Sequence, residues 1–282
     1  MKKNTLHIEH FIRRQLDLWT TVSPSNHLTK QLLVNGSVVT VQYNPAREWS
    51  AAARVDKVSV SKRPCFLCAV NRPQQQIDII RGNYRLLVNP YPVLPQHLTI
   101  ADSRHLPQAI AGRMGDMLNW AQALEGFLLF YNGPQSGASA PDHFHFQAVA
   151  AGHTPLERVM QTSKGVGEGL AGFSGRYYLF SDTRKKPVCE VFEHICQQLG
   201  STSGDEPMMN IYCHCISGKW TLAVIPRRRH RPERYFAGDD SNMLISPGGL
   251  DMAGIIVAAR KQDFDRITAQ DVEQIYSEVA FQ

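Results

Sequence analysis

Apolar residues fall into short runs along this chain, and the spacing within each run separates helices from strands. From His7 to Trp19 the apolar positions Ile8, Phe11, Ile12 and Leu16 recur with helical period. Residues 31–43 read as two strands joined by Asn35-Gly36, a dipeptide that suits a tight hairpin turn. Pro64 to Cys68 reads as a turn-like knuckle. Strands are expected at Tyr84–Asn89 and His97–Ala101, on either side of the proline-rich stretch from Pro90 to Pro95. A helix is expected from Leu106 to about Leu124, with Ile110, Met114, Met117, Leu118 and Ala121 on its apolar side. Strands follow at Phe127–Tyr131 and His143–Ala150. The order strand, strand, helix, strand, strand argues for an antiparallel α+β unit and against a parallel, doubly wound sheet.

Residues 151–175 are rich in glycine and polar groups and are expected to form a mobile active-site segment. Beyond them, strands are expected near Arg176–Phe180, Met208–His214, Lys219–Ile225 and Ala253–Ala259, with a helix at Val188–Leu199. Thr268 opens a final helix whose inward face carries Val272, Ile275, Tyr276 and Val279.

One strand carries chemistry. In Pro141-Asp142-His143-Phe144-His145-Phe146-Gln147, two imidazoles and a carboxamide occupy every second position. In extended backbone they share a face, while Phe144 and Phe146 point to a core. Such a row suits work on a phosphate: a nitrogen nucleophile next to a neutral donor for phosphoryl oxygens. The loop before it, Tyr131 to Ala140, is made of small and polar residues whose N–H groups can approach an anion closely. The plain alternative is a strand with surface histidines.

Composition narrows the setting. The 282 residues are 43% hydrophobic and 20% charged, enough to bury a sizeable core and incompatible with a disordered chain. A net charge of +5 fits a small anionic substrate and is too weak to imply nucleic-acid binding. With no long apolar run, and with Met1-Lys2-Lys3 leading into a polar amphipathic segment, neither a membrane span nor a signal peptide is expected. A cytoplasmic location follows as an expectation.

The six cysteines do not form a secreted disulfide pattern. Cys189 and Cys196 read as core residues of a helix. Cys213-His214-Cys215 reads as part of a strand, with a metal role as the weaker option. The Cys65-x-x-Cys68 pair has two further candidate ligands in the same half of the chain, His105 and His143. Together they would close a Cys2His2 tetrahedral zinc shell. The densest positive run, Pro226-Arg227-Arg228-Arg229-His230-Arg231, suits a phosphate clamp and a solvated loop equally.

His143-Phe144-His145-Phe146-Gln147 resembles the H-x-H-x-Q signature of the histidine-triad (HIT-like) superfamily. Within it, the chain is most similar to the branch of galactose-1-phosphate uridylyltransferase, diadenosine tetraphosphate (Ap4A) phosphorylase and the GDP-hexose phosphorylases. The resemblance extends through Val41 to Arg47, Arg54 to Val58, Leu87 to Pro92, and Gln96-His97-Leu98. It continues in the tail, from Met209-Asn210-Ile211 through Trp220, Ile225-Pro226-Arg227 and Gly254 to Asp263-Phe264.

This resemblance implies an antiparallel sheet with flanking helices, arranged as two packed HIT-like halves. Residues 1–150 would be the catalytic half and 151–282 the half that completes the pocket. It implies that His145 is the nucleophile that carries the nucleotidyl group and that Gln147 hydrogen-bonds the transferred phosphate. Asn44, Arg47, Asn89, Asn132, Gly137 and Ser139 would then bind substrate, and Cys65, Cys68, His105 and His143 would hold a structural zinc. Two departures stand out. The GDP-hexose phosphorylases do not share the C-x-x-C, and the second metal site of the uridylyltransferases has no counterpart here.

The expected reaction is nucleotidyl transfer from a nucleotide-sugar or dinucleoside polyphosphate to His145, followed by release to phosphate or a sugar phosphate. Removing a donor such as Gln147 typically costs about 100- to 1000-fold in rate. Two other readings remain open. One is a hydrolase, which usually carries a third histidine where this chain has Gln147. The other is a zinc-stabilised nucleotide-binding protein without turnover. A homodimer is the commonest arrangement for such enzymes.

Overall fold

The computed structural model describes residues 2–19, 27–162, 167–171, 175–200 and 206–281. The strands are β1 (Leu28–Val34), β2 (Ser37–Tyr43), β3 (Asp78–Arg81), β4 (Tyr84–Val88), β5 (Leu98–Asp102), β6 (Phe127–Asn132) and β7 (His145–Ala150), followed by β8 (Gly167–Ala171), β9 (Gly175–Asp182), β10 (Met209–Ile216), β11 (Lys219–Pro226) and β12 (Ile255–Ala258). The helices are α1 (Lys2–Leu18), α2 (Glu48–Ala51), α3 (Lys57–Ser61), α4 (Met114–Ala123), α5 (Pro155–Thr162), α6 (Lys185–Leu199), α7 (Gly249–Met252), α8 (Lys261–Arg266) and α9 (Ala269–Val279).

Nine strands form one antiparallel sheet in the order β3-β4-β5-β7-β6-β10-β11-β9-β8. Strands that precede residue 151 and strands that follow it meet along the β6–β10 pairing, where Asn132 faces Asn210 and Phe130 faces Tyr212. A second sheet, β1-β2-β12, joins the two ends of the chain, because β12 pairs in parallel with β2. Its hairpin turns at Asn35 and Gly36, both at positive φ, as a two-residue turn between right-twisted strands requires.

The central strands are buried on both faces, so their inward pattern is read from alternation between two cores. On β6, Phe127, Leu129 and Tyr131 enter one core, together with Phe144 and Phe146, α1, α4 and α6. Leu128 and Phe130 enter the other, with the small sheet, α5, α7 and α9. Strand β10 alternates in the same way. Cys213 and Cys215 join the first core, while His214 is a buried residue of opposite parity. This separates His214 from the two cysteines, and among the described residues the three form no metal cluster. Cys189 and Cys196 pack against the first core from α6, partly buried. The final helix opens as expected, with Thr268 and Asp271 forming a reciprocal capping box.

One expectation fails for a local reason. The helix expected from Leu106 begins only at Met114. Pro107 and Gly112, the latter at φ +72°, sit in a segment that runs extended alongside the signature strand. There Phe144 N–H donates to the Leu106 carbonyl and Gln108 N–H to that of Pro141. Ile110 is buried from this strap rather than from a helix. The described part of residues 151–175 forms α5, β8 and the start of β9. The buried Glu157 carboxylate accepts the N–H groups of Gly152, His153 and Thr154, and Leu156 and Met160 enter the core. None of its described residues lines the cavities described below. Residues 163–166 and 172–174 lie outside the described part. Among the described residues, no helix is long and apolar enough to cross a membrane.

Candidate active site

Strand β7 starts at His145, and the expected alternation holds across it: Phe144 and Phe146 are fully buried in the first core. The backbone of His145 is clamped by a single side chain. The Gln108 carboxamide oxygen accepts the His145 N–H at 2.8 Å, and its NH2 donates to the His145 carbonyl at 3.0 Å. The same NH2 group reaches the Asn132 carbonyl at 2.9 Å, which fixes β6 and β7 to the strap.

The imidazole of His145 is 4% exposed. Its Nδ1 lies 2.9 Å from the His143 carbonyl oxygen. A carbonyl can only accept, so Nδ1 carries the proton and Nε2 keeps its lone pair. Among the described residues nothing bonds that Nε2. Burial pushes the imidazole down to about 4, opposed by its bond to the His143 carbonyl, so the ring is neutral at ordinary pH.

Gln147 is set by a similar device. Val93 N–H donates to His97 Nδ1 at 3.3 Å, so His97 carries its proton on Nε2 and donates it to the Gln147 carboxamide oxygen at 2.9 Å. With its oxygen engaged, Gln147 presents its NH2 as a donor. Burial and the charge of Arg47 push His97 down to about 3 and keep it neutral, while its bond to Gln147 works in the opposite direction.

On the other side of His143, the sulfurs of Cys65 and Cys68 lie 3.3 and 3.5 Å from His143 Nδ1, and Cys68 Sγ lies 3.3 Å from His105 Nδ1. All four donor atoms fall within 4.8 Å of one another. His143 Nε2 donates to the Asp102 carbonyl at 2.8 Å, which turns the Nδ1 lone pair toward the two sulfurs. Two sulfurs and two imidazole nitrogens in this array suit a tetrahedral ion, whose ligand atoms stand about 3.3–3.8 Å apart. The residues therefore fit a metal.

The loop from Gly133 to Ala140 is held against the stretch that leads into α7. Gly137 has φ +97°, and a Cβ there would stand 2.4 Å from the Gly248 Cα, so only glycine fits at 137. Asn132 spends its side chain on this packing: its oxygen accepts from Asn210, and its NH2 faces the Gly137 carbonyl.

A small cleft of about 60 Å³ opens beside Gln147 and His97 and is also lined by Arg47, Asn132, Gly137 and Ser139. Thus five residues expected from the sequence come together there: Gln147, Arg47, Asn132, Gly137 and Ser139. His145 lies next to this cleft in sequence and lines neither it nor the larger groove described below. Asn44 and Asn89 are not brought to it. Asn44 is fully buried and bonds Gln42 and the Pro92 carbonyl. Asn89 caps its own turn by accepting the Tyr91 N–H.

The cleft also contains Asp251, which was not singled out in the sequence. Burial raises its carboxyl to about 6, opposed by the N–H groups of Val257 and Gly248 and by the charge of Arg47. For His97 the sequence did hold a signal, the Gln96-His97-Leu98 run, but nothing assigned it a role. In the basic run, Arg227 is a brace. Its guanidinium is buried and donates to Asn210 and to the carbonyls of Val279, Pro247, Arg229 and His230.

Residues 11–150 match the protein family described as Domain of unknown function (DUF4922). No curated protein matches the sequence. The structure is similar to that of yeast Ap4A phosphorylase Apa2 in complex with AMP, with a TM-score of 0.69 at 17% identity over 100% of this chain and 98% of that one. For the same yeast protein in complex with Ap4A, the TM-score is 0.65 at 16% identity over 97% and 98%. The chain therefore shares the α+β fold of these structures.

The pKa shift of His97 makes stability depend on pH. Unfolded, its imidazole returns to 6.5 and binds a proton that the folded state refuses down to about 3. Stability is therefore full above about pH 6.5 and falls as pH drops through that window. Replacing His97→Gln should flatten the acid limb of unfolding free energy against pH, measured by denaturant titration between about pH 4 and 7. An unchanged slope would contradict this assignment.

Proposed function

We propose that this chain is a nucleotidyl-transferring phosphorylase that works through a nucleotidyl-His145 intermediate. The donor would be a dinucleoside polyphosphate or a nucleotide-sugar, and the acceptor phosphate or a sugar phosphate. The observation that carries the reading is the state of His145: its Nδ1–H is committed to a backbone carbonyl, and no described residue engages its Nε2 lone pair. The shared fold with a protein named Ap4A phosphorylase supports the choice of reaction class.

In the first step the Nε2 lone pair attacks the phosphorus of the nucleotidyl group. The bond to the bridging oxygen breaks, and the leaving phosphate group takes the electron pair. The ring gains positive charge as the P–N bond forms, and the His143 carbonyl on Nδ1–H offsets it. Gln147, with its oxygen held by His97, directs its NH2 at a non-bridging oxygen. In the second step an acceptor phosphate oxygen attacks the same phosphorus, the P–N bond breaks, and the pair returns to Nε2. No net proton transfer is needed, which suits a site whose histidines are kept neutral by burial.

The metal of this reading is a structural zinc held by Cys65, Cys68, His105 and His143. When bound, zinc ties the knuckle to the start of β7 and takes no part in bond making. His143 then serves both sites, its ring toward the metal and its carbonyl toward the nucleophile. The same reading takes residues 1–150 as the catalytic half. Residues 151–282 complete the cleft through His230, Arg231 and Gly248 to Asp251.

Replacing His145→Ala should abolish phosphate-dependent cleavage of the donor, followed by chromatography of products, with metal content and melting temperature near wild type. Near-normal turnover in that variant would sink the mechanism. Replacing Cys65→Ser should lower zinc content by elemental analysis and lower the melting temperature. A variant equally stable and fully loaded would remove the zinc assignment.

A further inference from the structure

A second cavity runs beside the cleft: a groove of about 2160 Å³ that passes Cys65, Cys68 and His105 on its way to α6. The two cavities share three lining residues, Val55, His230 and Arg231. These three form the junction between the cleft that holds Gln147 and the open groove. Arg231 is fixed in place there, donating to Ser246 Oγ and to the Ala51 and Ala53 carbonyls and packing over the Tyr235 ring.

Cations flank the junction on both sides. Arg54 and Lys57 lie within two residues of Val55, and Arg228 and Arg229 within two residues of His230; all four line the groove and are exposed. Lys57 and Arg228 have no ion-pair partner among the described residues. Among the described residues Arg229 pairs with the exposed Glu233, and Arg54 lies near Asp56, which is itself occupied as the cap of α3. Like charges gathered from two separate segments repel, and an anion between them would offset that cost.

Size points the same way. A cavity of about 60 Å³ holds roughly two water molecules. A phosphate chain that reaches Gln147 in this cleft has no room to end there, so it runs on through the junction into the groove. We propose that Lys57 and Arg228, with Arg54 and Arg229 beside them, form an anion subsite for the phosphate chain of the leaving or attacking group. This rests on the phosphorylase reading for its place in the reaction, but the binding itself does not. It also divides the basic run by role: Arg227 braces, Arg231 builds the junction, and Arg228 and Arg229 face the ligand.

The test is calorimetric titration of the wild-type protein and of the double variant Lys57→Gln, Arg228→Gln with inorganic tripolyphosphate at low salt. Both side chains are exposed, so melting temperatures should match, and Arg228→Lys should keep most of the binding. The subsite predicts wild-type binding that weakens with salt, and about a tenfold loss in the double variant. Equal binding by both proteins, or no binding by either, would overturn it. Two kinetic arms separate the ligand's sources. A slower His145 adduct in the double variant marks the leaving group, whereas a raised KM for phosphate with normal adduct formation marks the attacking group. A wild type that binds tripolyphosphate but never forms an adduct would end the phosphorylase reading and leave the subsite standing.

Discussion

The hydrogen bond from His145 Nδ1–H to the His143 carbonyl decides which nitrogen of the imidazole is available, and the local structure is organised to keep it. The bond spans two residues of one strand start, so it survives only if the backbone there cannot swing. Gln108 holds both backbone groups of His145, and the His143 ring is anchored by the Asp102 carbonyl. Asp102 is in turn fixed by Arg113, which packs 4.0 Å over the Phe144 ring. A rotation at 143–145 would break several of these contacts together.

Rigidity on the opposite side comes from close packing more than from charge. Gly137 lets its loop approach Gly248 more closely than a side chain at 137 would allow, and Arg227 fills the space behind them with donors to backbone carbonyls. The cleft is thereby lined from both ends of the chain, since Arg47 and Ser50 lie near its start and Gly248 to Asp251 near its end. The parallel pairing of β12 with β2 is what makes that meeting possible.

Much of this was legible because strand alternation is a strict geometric rule. The parity of His143 to Gln147 separates core from site, and Asn35-Gly36 places a hairpin, without knowledge of the rest. The Cys2His2 set was legible as residue types, and the structure brings its four members together. What escaped depends on contacts distant in sequence. Gln108 looked like one polar position in a helix because apolar residues around it mimic helical spacing, while Pro107 and Gly112 straighten the segment. The role of His97 depends on Val93 and Gln147, and that of Glu157 on three consecutive N–H groups that a glycine-rich composition conceals. The placement of Asn44 likewise depends on a distant contact, the Pro92 carbonyl, whereas Asn89 accepts the N–H of Tyr91 in its own turn.

The central claim concerns a covalent bond to one nitrogen, so intact-protein mass spectrometry tests it most directly. The protein is mixed briefly with dinucleoside polyphosphate and nucleotide-sugar donors in phosphate-free buffer and then denatured. The account predicts a mass gain of one nucleoside monophosphate that maps to His145 and disappears when phosphate is added. Phosphate-dependent turnover without such an adduct, or an adduct on any other residue, would contradict it.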